Sequence, residues 1–287
     1  MPMPHASASH ELTPDERRLV REAIAEDLGA GDITTSATID EALRAEGTFR
    51  AKSPLVLAGS PYARAVFDEV DATCAWTQLL QDGARAETGD ALARVEGPMR
   101  SLLAAERLAL NLLQHLSGVA TATAAFVGAV AGTQARITDT RKTIPLWRRA
   151  QKYAVVCGGG VNHRFGLFDA VLIKDNHIDA NDDLGETVRR AVATAAGAPV
   201  IVEIRRIDEI DAAIDEGATR LLLDNMTPDE LAACVRLVNG RAVTEASGNV
   251  TLSNVRAVAG SGVDLISVGA LTHSVRAADI NFKIVRA

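Results

Sequence analysis

The chain is predicted to be an α/β protein, with an irregular N-terminal α+β unit followed by a parallel sheet that is open or closed into a barrel. Three observations predict this class. Short aliphatic runs recur after Gln134: ARITDT, DAVLIKD, PVIVEI, RLLLDN, RAVTEASG and DLISVG. Helical stretches such as ETVRRAVATAA, IDEIDAAIDEG and TPDELAACVRLV fall between them, and that alternation builds right-handed βαβ units. Hydrophobic residues make up 47% of the 287 positions while aromatics make up 3%, the aliphatic composition of packed α/β layers. Six such strands fall short of the eight in a complete (β/α)8 barrel.

In chain order, Thr13-Pro14-Asp15-Glu16 predicts a helix start. Thr13 is the N-cap, Pro14 the first helical residue and Glu16 the capping-box partner, with the end near Gly29. GTFRAKSPLVLAG is expected to be a strand pair, PYARAVFDEV a helix, and GDALARVEGP a strand closed by Gly-Pro. A long helix should run from Ser101 to Leu116. Arg107, Asn111, Gln114 and Gly118 form a polar stripe on that otherwise leucine-rich rod. A helix so apolar should be buried, and a buried Arg107 would need a partner such as an anionic ligand.

Composition excludes several classes. A net charge of −7 does not suit a nucleic-acid footprint, and the aromatics needed to stack single-stranded bases are scarce. Cys74, Cys157 and Cys234 have no metal-site spacing and read as reduced thiols of a cytoplasmic protein. MPMPHASASH has no apolar core for a signal peptide and is expected to be a frayed tail. Glu106, Arg107, Asn111 and Gln114 interrupt the best membrane-helix candidate, so no membrane association is expected.

Functional groups fall at the ends of the strand-like runs. They are Thr140 with Arg141 and Lys142, then Lys174, Glu203, Asp224, Glu245 with Ser247-Gly248-Asn249, and Val268-Gly269-Ala270. Ligands of parallel α/β folds bind outside the carboxyl ends of the strands, so these groups should share one mouth. Most Lys and Arg side chains are solvated surface charges. Here, however, Lys174 directly follows Val171-Leu172-Ile173, and His163-Arg164 follow the Gly158-Gly159-Gly160 turn. Arginine's planar fork suits carboxylate and lysine's point charge suits phosphate, so the set predicts an anion pocket. His163 alone would be a weak signal. Glu203 and Asp224 would hold ribose hydroxyls or Mg²⁺, or stabilise a cationic sugar carbon; the bland alternative is that each caps the next helix. The two glycine turns, 247–249 and 268–270, read as phosphate loops leading into helices. No Walker A or GxGxxG pattern is present.

At this point the residues resemble a known family. EDLGAGDITT, RSLLAAERLALNLLQHLSGVAT, TRKT, KYAVVCGGGVNHRFGL, LIKDNH, LLLDN, EASGN and VGALTHS are together similar to quinolinate phosphoribosyltransferase. The resemblance implies an N-terminal α/β sandwich domain over 1–113, with 276–287 returning to it. It also implies an incomplete, open α/β barrel over 114–275. It implies transfer of phosphoribosyl from phosphoribosyl pyrophosphate to quinolinate, with decarboxylation and Mg²⁺, in NAD synthesis. Carried over by position, Thr140, Arg141, His163, Arg164 and Lys174 would line the quinolinate site, with Lys142 near phosphoribosyl pyrophosphate. Catalysis would rest on Lys142, Lys174, Glu203 and Asp224. Glu203 and Asp224 would meet Mg²⁺ directly or indirectly, and Ser247, Gly248, Asn249, Val268, Gly269 and Ala270 would bind phosphate. Arg107 would enter from the partner in a homodimer with shared active sites, or in a larger oligomer built from it. Two positions depart from the family pattern: Ile144-Pro145-Leu146-Trp147 after TRKT, and Arg205 where many members carry an acid. Two rival readings are a relative of altered specificity and a lyase forming a Schiff base on Lys174.

Overall fold

The structure, a computed structural model, describes residues 10–181 and 183–286. Residues 1–9, the expected tail, lie outside the described residues. In chain order the strands are β1 (Arg44–Ala51), β2 (Leu55–Val56), β3 (Ala75–Gln78), β4 (Arg85–Ala86), β5 (Ala91–Pro98) and β6 (Arg136–Thr138). They continue as β7 (Val171–Ile173), β8 (Val200–Ile204), β9 (Arg220–Asp224), β10 (Val243–Ser247), β11 (Leu265–Ser267) and β12 (Ile280–Arg286). The chain divides into two compact units. One comprises the chain up to Ala122, Pro145–Gly159 and Val275 onward; the other comprises Thr123–Ile144 and Gly160–Ser274.

The first unit opens with the helix Pro14–Leu28. Its capping box is formed: Glu16 N–H donates to Thr13 Oγ1 at 3.3 Å, and Thr13 N–H donates to Glu16 Oε2 at 2.8 Å. Its sheet is antiparallel in the order β12-β1-β5-β3, so the C-terminal strand pairs with the first one, Ala51 opposite Ile280. One face is closed by Phe49, Phe67, Trp76 and Phe282, with the Phe49 and Phe282 rings 4.3 Å apart. GTFRAKSPLVLAG holds two strands, but they are not partners. β1 pairs with β12 and β5, whereas β2 pairs with β4 in a separate ribbon. Pro54 between them cannot donate to a ladder, and the chain changes sheets there.

The long helix runs from Met99 to Ala129, well past the predicted end at Leu116. Gly118 does not stop it, because that glycine serves packing. A Cβ there would overlap the Arg276 carbonyl oxygen and lie 3.1 Å from Val275 Cγ1. Leu102, Ala105, Ala109, Leu113 and Leu116 are buried as expected, but Arg107 and Asn111 are exposed in the single chain. The expectation of a buried Arg107 is therefore corrected: Arg107 and Asn111 face solvent, whereas Gln114 donates to the Ile280 carbonyl at 2.7 Å and Gly118 is buried. By length and composition this helix is also apolar enough to cross a membrane, a test that buried core helices pass too.

The second unit is a six-stranded, wholly parallel sheet in the order β6-β11-β10-β9-β8-β7. Register places Arg136, Leu265, Glu245, Leu222 and Glu203 in one row across it. Side chains two apart share a face. One face therefore carries Ile201 and Glu203, Arg220, Leu222 and Asp224, and Glu245 and Ser247. The opposite face, with Val200, Val202, Ile204, Leu221 and Leu223, is buried. Helices Leu184–Thr194 and Pro228–Val238 pack on the sheet. Among the described residues, the only further pairing beyond β6 is a single parallel bridge, Thr138 to Val161.

The two glycines of the long helix make a paired test. Gly118→Ala is expected to cost about 1–3 kcal/mol through overpacking against the Arg276 carbonyl. Gly128→Ala, where a Cβ meets nothing within 4 Å, should be neutral or stabilising. Thermal unfolding of both variants checks this; equal destabilisation would refute the packing role of Gly118.

Candidate active site

The carboxyl ends of the parallel strands carry most of the polar groups singled out in the sequence. After β6, Asp139 is fully buried and its Oδ1 accepts the His163 backbone N–H at 2.9 Å. The next residues turn outward: Lys142 N–H donates to Thr140 Oγ1 at 3.0 Å, and Arg141 and Lys142 are exposed. Thr272 Oγ1 donates to the Lys142 carbonyl at 2.8 Å, which ties this loop to the short helix that follows β11.

Arg164 spans from the Val161 edge towards β7, where its Nη1 donates to the Ala170 carbonyl at 3.0 Å. Burial, and then the neighbouring charge of Arg141, pull its guanidinium pKa below the ordinary value. The two like charges repel each other, and a bound anion would relieve that repulsion. His163 precedes this group and is buried. Its Nδ1 accepts the Arg164 N–H at 2.7 Å, which assigns the ring proton to Nε2. Nε2 faces Glu245 Oε1 at 3.5 Å.

The carboxylates stand on β8 and β9. Glu203 is 9% exposed, and its Oε2 lies 3.6 Å from Lys174 Nζ. Burial raises its pKa above the ordinary carboxylate range; Lys174 opposes that shift and the Asp224 charge adds to it. Glu203 and Asp224 thus feel each other across one mouth. Asn225 Nδ2 donates to Asp224 Oδ2 at 2.6 Å, and Asn249 Nδ2 donates to Asn225 Oδ1 at 3.2 Å. Gly248, at φ +95°, lets Asn225 sit there, since a Cβ would overlap the amide oxygen. The helix-cap alternative fails for both acids. Thr227, with Glu230, caps the helix after Asp224, and Arg206 precedes the turn after Glu203.

The glycine turns differ from expectation in one respect. Gly269 directly caps the one-turn helix Ala270–His273, but Ser247-Gly248-Asn249 does not open a helix; the next one begins only at Val255. Asn254 Nδ2 donates to the Asn249 carbonyl at 3.0 Å and closes that loop as a turn. Arg205, one of the two departures, pairs with Asp175 and so joins the loops after β7 and β8. That pair is about half exposed and contributes no more than about 1 kcal/mol. At the other departure, Leu146 is 72% exposed at φ 69°, a conformation rare for a bulky residue.

Sequence reasoning passed over the ion pair inside the sheet. Glu245 is fully buried, and its carboxylate meets Arg220 and the Ser267 hydroxyl. The available signal was parity, because Glu245 and Ser247 must share a face with Arg220 and Asp224 of the next strand. The Schiff-base alternative also loses ground. It needs Lys174 in a dry pocket, whereas that side chain is 51% exposed and rests on a carboxylate.

A parallel sheet whose carboxyl ends join paired guanidinium groups, lysines and two carboxylates defines a class of enzyme that acts on small anionic substrates. Comparison with known proteins narrows the class. Residues 32–117 match the model of the quinolinate phosphoribosyl transferase N-terminal domain, and residues 119–283 that of its C-terminal domain. A carboxylating nicotinate-nucleotide pyrophosphorylase of Mycobacterium leprae is 44% identical over 93% of this chain and 96% of its own length. A probable one of Bacillus subtilis is 39% identical over 93% of both. The solved nicotinate-nucleotide pyrophosphorylase of Francisella tularensis superposes with a TM-score of 0.92 at 36% identity, covering 97% of this chain and all of that one. The chain belongs to the quinolinate phosphoribosyltransferase family.

The raised pKa of Glu203 carries a stability consequence. The folded state holds that proton more tightly than the unfolded chain, so this group's contribution to stability falls as pH rises from 4.5 through the folded pKa. Glu203→Gln is therefore expected to melt above the unaltered protein at pH 7, with the gap closing as pH falls towards 4.5. Differential scanning calorimetry across that range checks it. A gap that is absent at pH 7, or that widens on acidification, would contradict the assigned shift.

Proposed function

We infer that the chain catalyses transfer of phosphoribosyl from phosphoribosyl pyrophosphate to the ring nitrogen of quinolinate, with loss of CO2, giving nicotinate mononucleotide and pyrophosphate. The reading rests on family membership and on one observation above all: Arg164, half-buried with its Nη1 on the Ala170 carbonyl, also feels the like charge of Arg141. Quinolinate carries two adjacent carboxylates, and a pair of forked donors suits them. In this reading Thr140, Arg141, His163, Arg164 and Lys174 form the quinolinate site, and Lys142 serves phosphoribosyl pyrophosphate. The turns Ser247-Gly248-Asn249 and Val268-Gly269-Ala270 hold phosphate.

The nitrogen lone pair forms the bond to the ribosyl C1 while pyrophosphate leaves with the electrons of the broken C–O bond. Positive charge develops on the sugar, and the carboxylates of Glu203 and Asp224 stabilise it. The C2–carboxylate bond then breaks and CO2 departs. The electron pair left on C2 is stabilised by the adjacent quaternary nitrogen until C2 takes up a proton, for which we assign the Lys174 ammonium as donor. The work is positioning and electrostatics, with no covalent nucleophile.

Mg²⁺ fits this site as a partner of the substrate. Among the described residues no group of three ligating side chains could cage a metal. Mg²⁺ is often held by one or two carboxylates plus phosphate oxygens, and Glu203, whose pKa the nearby Asp224 charge helps to raise, would suit that role together with Asp224. The ion would neutralise pyrophosphate charge. The free thiols Cys74, Cys157 and Cys234 support a reducing, cytoplasmic setting.

The exposed Arg107 supports a homodimer in which that side chain completes the partner's site. Two outcomes are expected. Quinolinate should be turned over far faster than nicotinate, because losing the 2-carboxylate leaves a guanidinium unpaired; comparable steady-state rates with both acids would overturn the substrate assignment. Arg107→Ala and Lys142→Ala should each be nearly inactive, and refolding them together should restore part of the activity through mixed dimers with one intact site. Subunit exchange proven by differently tagged chains, without recovered activity, would show that Arg107 does not act in trans.

A further inference from the structure

Five residues of the second unit form a chain of contacts from inside the sheet to its mouth, and the reaction above uses only the last two. Arg220, 18% exposed at its side chain, pairs with the buried Glu245 carboxylate, which also accepts the Ser267 hydroxyl. Glu245 Oε1 faces His163 Nε2 at 3.5 Å. The other ring nitrogen, Nδ1, accepts the Arg164 backbone N–H at 2.7 Å, and Arg164 then reaches the Ala170 carbonyl. His163 therefore has Nδ1 hydrogen-bonded and Nε2 facing Glu245, and its backbone is fixed by Asp139. The His163 ring holds the Arg164 backbone and the Ala170 carbonyl its side chain, while the like charge of Arg141 acts on the same guanidinium.

We propose that Glu245, oriented by Arg220, is a positioning residue: through the His163 ring it fixes the Arg164 backbone, and so sets affinity for the pyridine dicarboxylate without touching it. This deepens the quinolinate assignment and rests on it. The role is selective. Phosphoribosyl pyrophosphate, assigned to Lys142, the carboxylates and the phosphate turns, should be recognised almost independently of Glu245.

The test uses the full chain, with calorimetric Kd and steady-state KM for each substrate measured beside the unfolding midpoint. Glu245→Leu should weaken quinolinate binding by roughly tenfold or more, because small displacements of a positioned group cost heavily, while phosphoribosyl pyrophosphate stays within about twofold. Stranding Arg220 without its partner is expected to destabilise that variant. Combining Glu245→Leu with Arg220→Met removes the orphan charge, and the melting temperature should recover while quinolinate affinity does not. Glu245→Gln, which keeps an oxygen for the Nε2–H, should fall between. If quinolinate affinity recovers with stability in the double variant, or if both substrates weaken together in Glu245→Gln, the pair is purely structural and the proposal is overturned. Failure of the unaltered chain to bind quinolinate would instead overturn the assigned function, and this inference with it.

Discussion

The Glu245 carboxylate has no contact with solvent, yet it lies in the middle of a parallel sheet between Leu222 and Leu265. A charge there is tolerated only if it is neutralised from within, and Arg220, Ser267 and His163 surround it. Removing one partner from a buried pair of this kind typically costs about 3–5 kcal/mol, because the other charge is stranded. Aliphatic residues of similar size would hold the sheet at least as well, so stability alone does not explain the pair. Its position offers a reason: Glu245 faces His163, and His163 bonds the backbone of Arg164, the guanidinium proposed to receive the dicarboxylate.

Parallel strands explain how both signs of charge reach one mouth. Every carboxyl end points the same way, so one residue beyond or near each strand end contributes to a common rim. The cations arrive after β6 and β7, and the acids on β8 and β9. Neither set is at ease alone, as the lowered pKa of Arg164 and the raised pKa of Glu203 show. Substrate carboxylates and a developing sugar cation are the charges that would relieve each set.

The sheet was legible because its evidence is compositional: six β-branched and leucine-rich runs, with helical stretches falling between them, became the six strands of the second unit. The first helix was legible because capping chemistry is local, and Thr13, Pro14 and Glu16 do what their types require. Non-local facts were not legible. Nothing near Gly118 shows that the Arg276 carbonyl needs its space, so the long helix was ended too early. An apolar helix implies a buried Arg107, but only the Gln114 and Gly118 end of its stripe is covered, and Arg107 and Asn111 face solvent. The strand-end cations and acids stood out by sequence position. Glu245 stood out with them, but its pairing with Arg220 did not, since a pair across neighbouring strands becomes visible only with their register.

The central claim is that one site joins a pyridine dicarboxylate to an activated ribose phosphate and removes a carboxyl group in the same cycle. The most direct measurement is product stoichiometry. The purified chain is given quinolinate labelled at the 2-carboxyl carbon, phosphoribosyl pyrophosphate and Mg²⁺, and CO2, pyrophosphate and nicotinate mononucleotide are counted together. The account expects the three in equal amounts, with the label entirely in CO2 and none released when phosphoribosyl pyrophosphate is omitted. Decarboxylation without ribosyl transfer, or a nucleotide that keeps the 2-carboxylate, would contradict it.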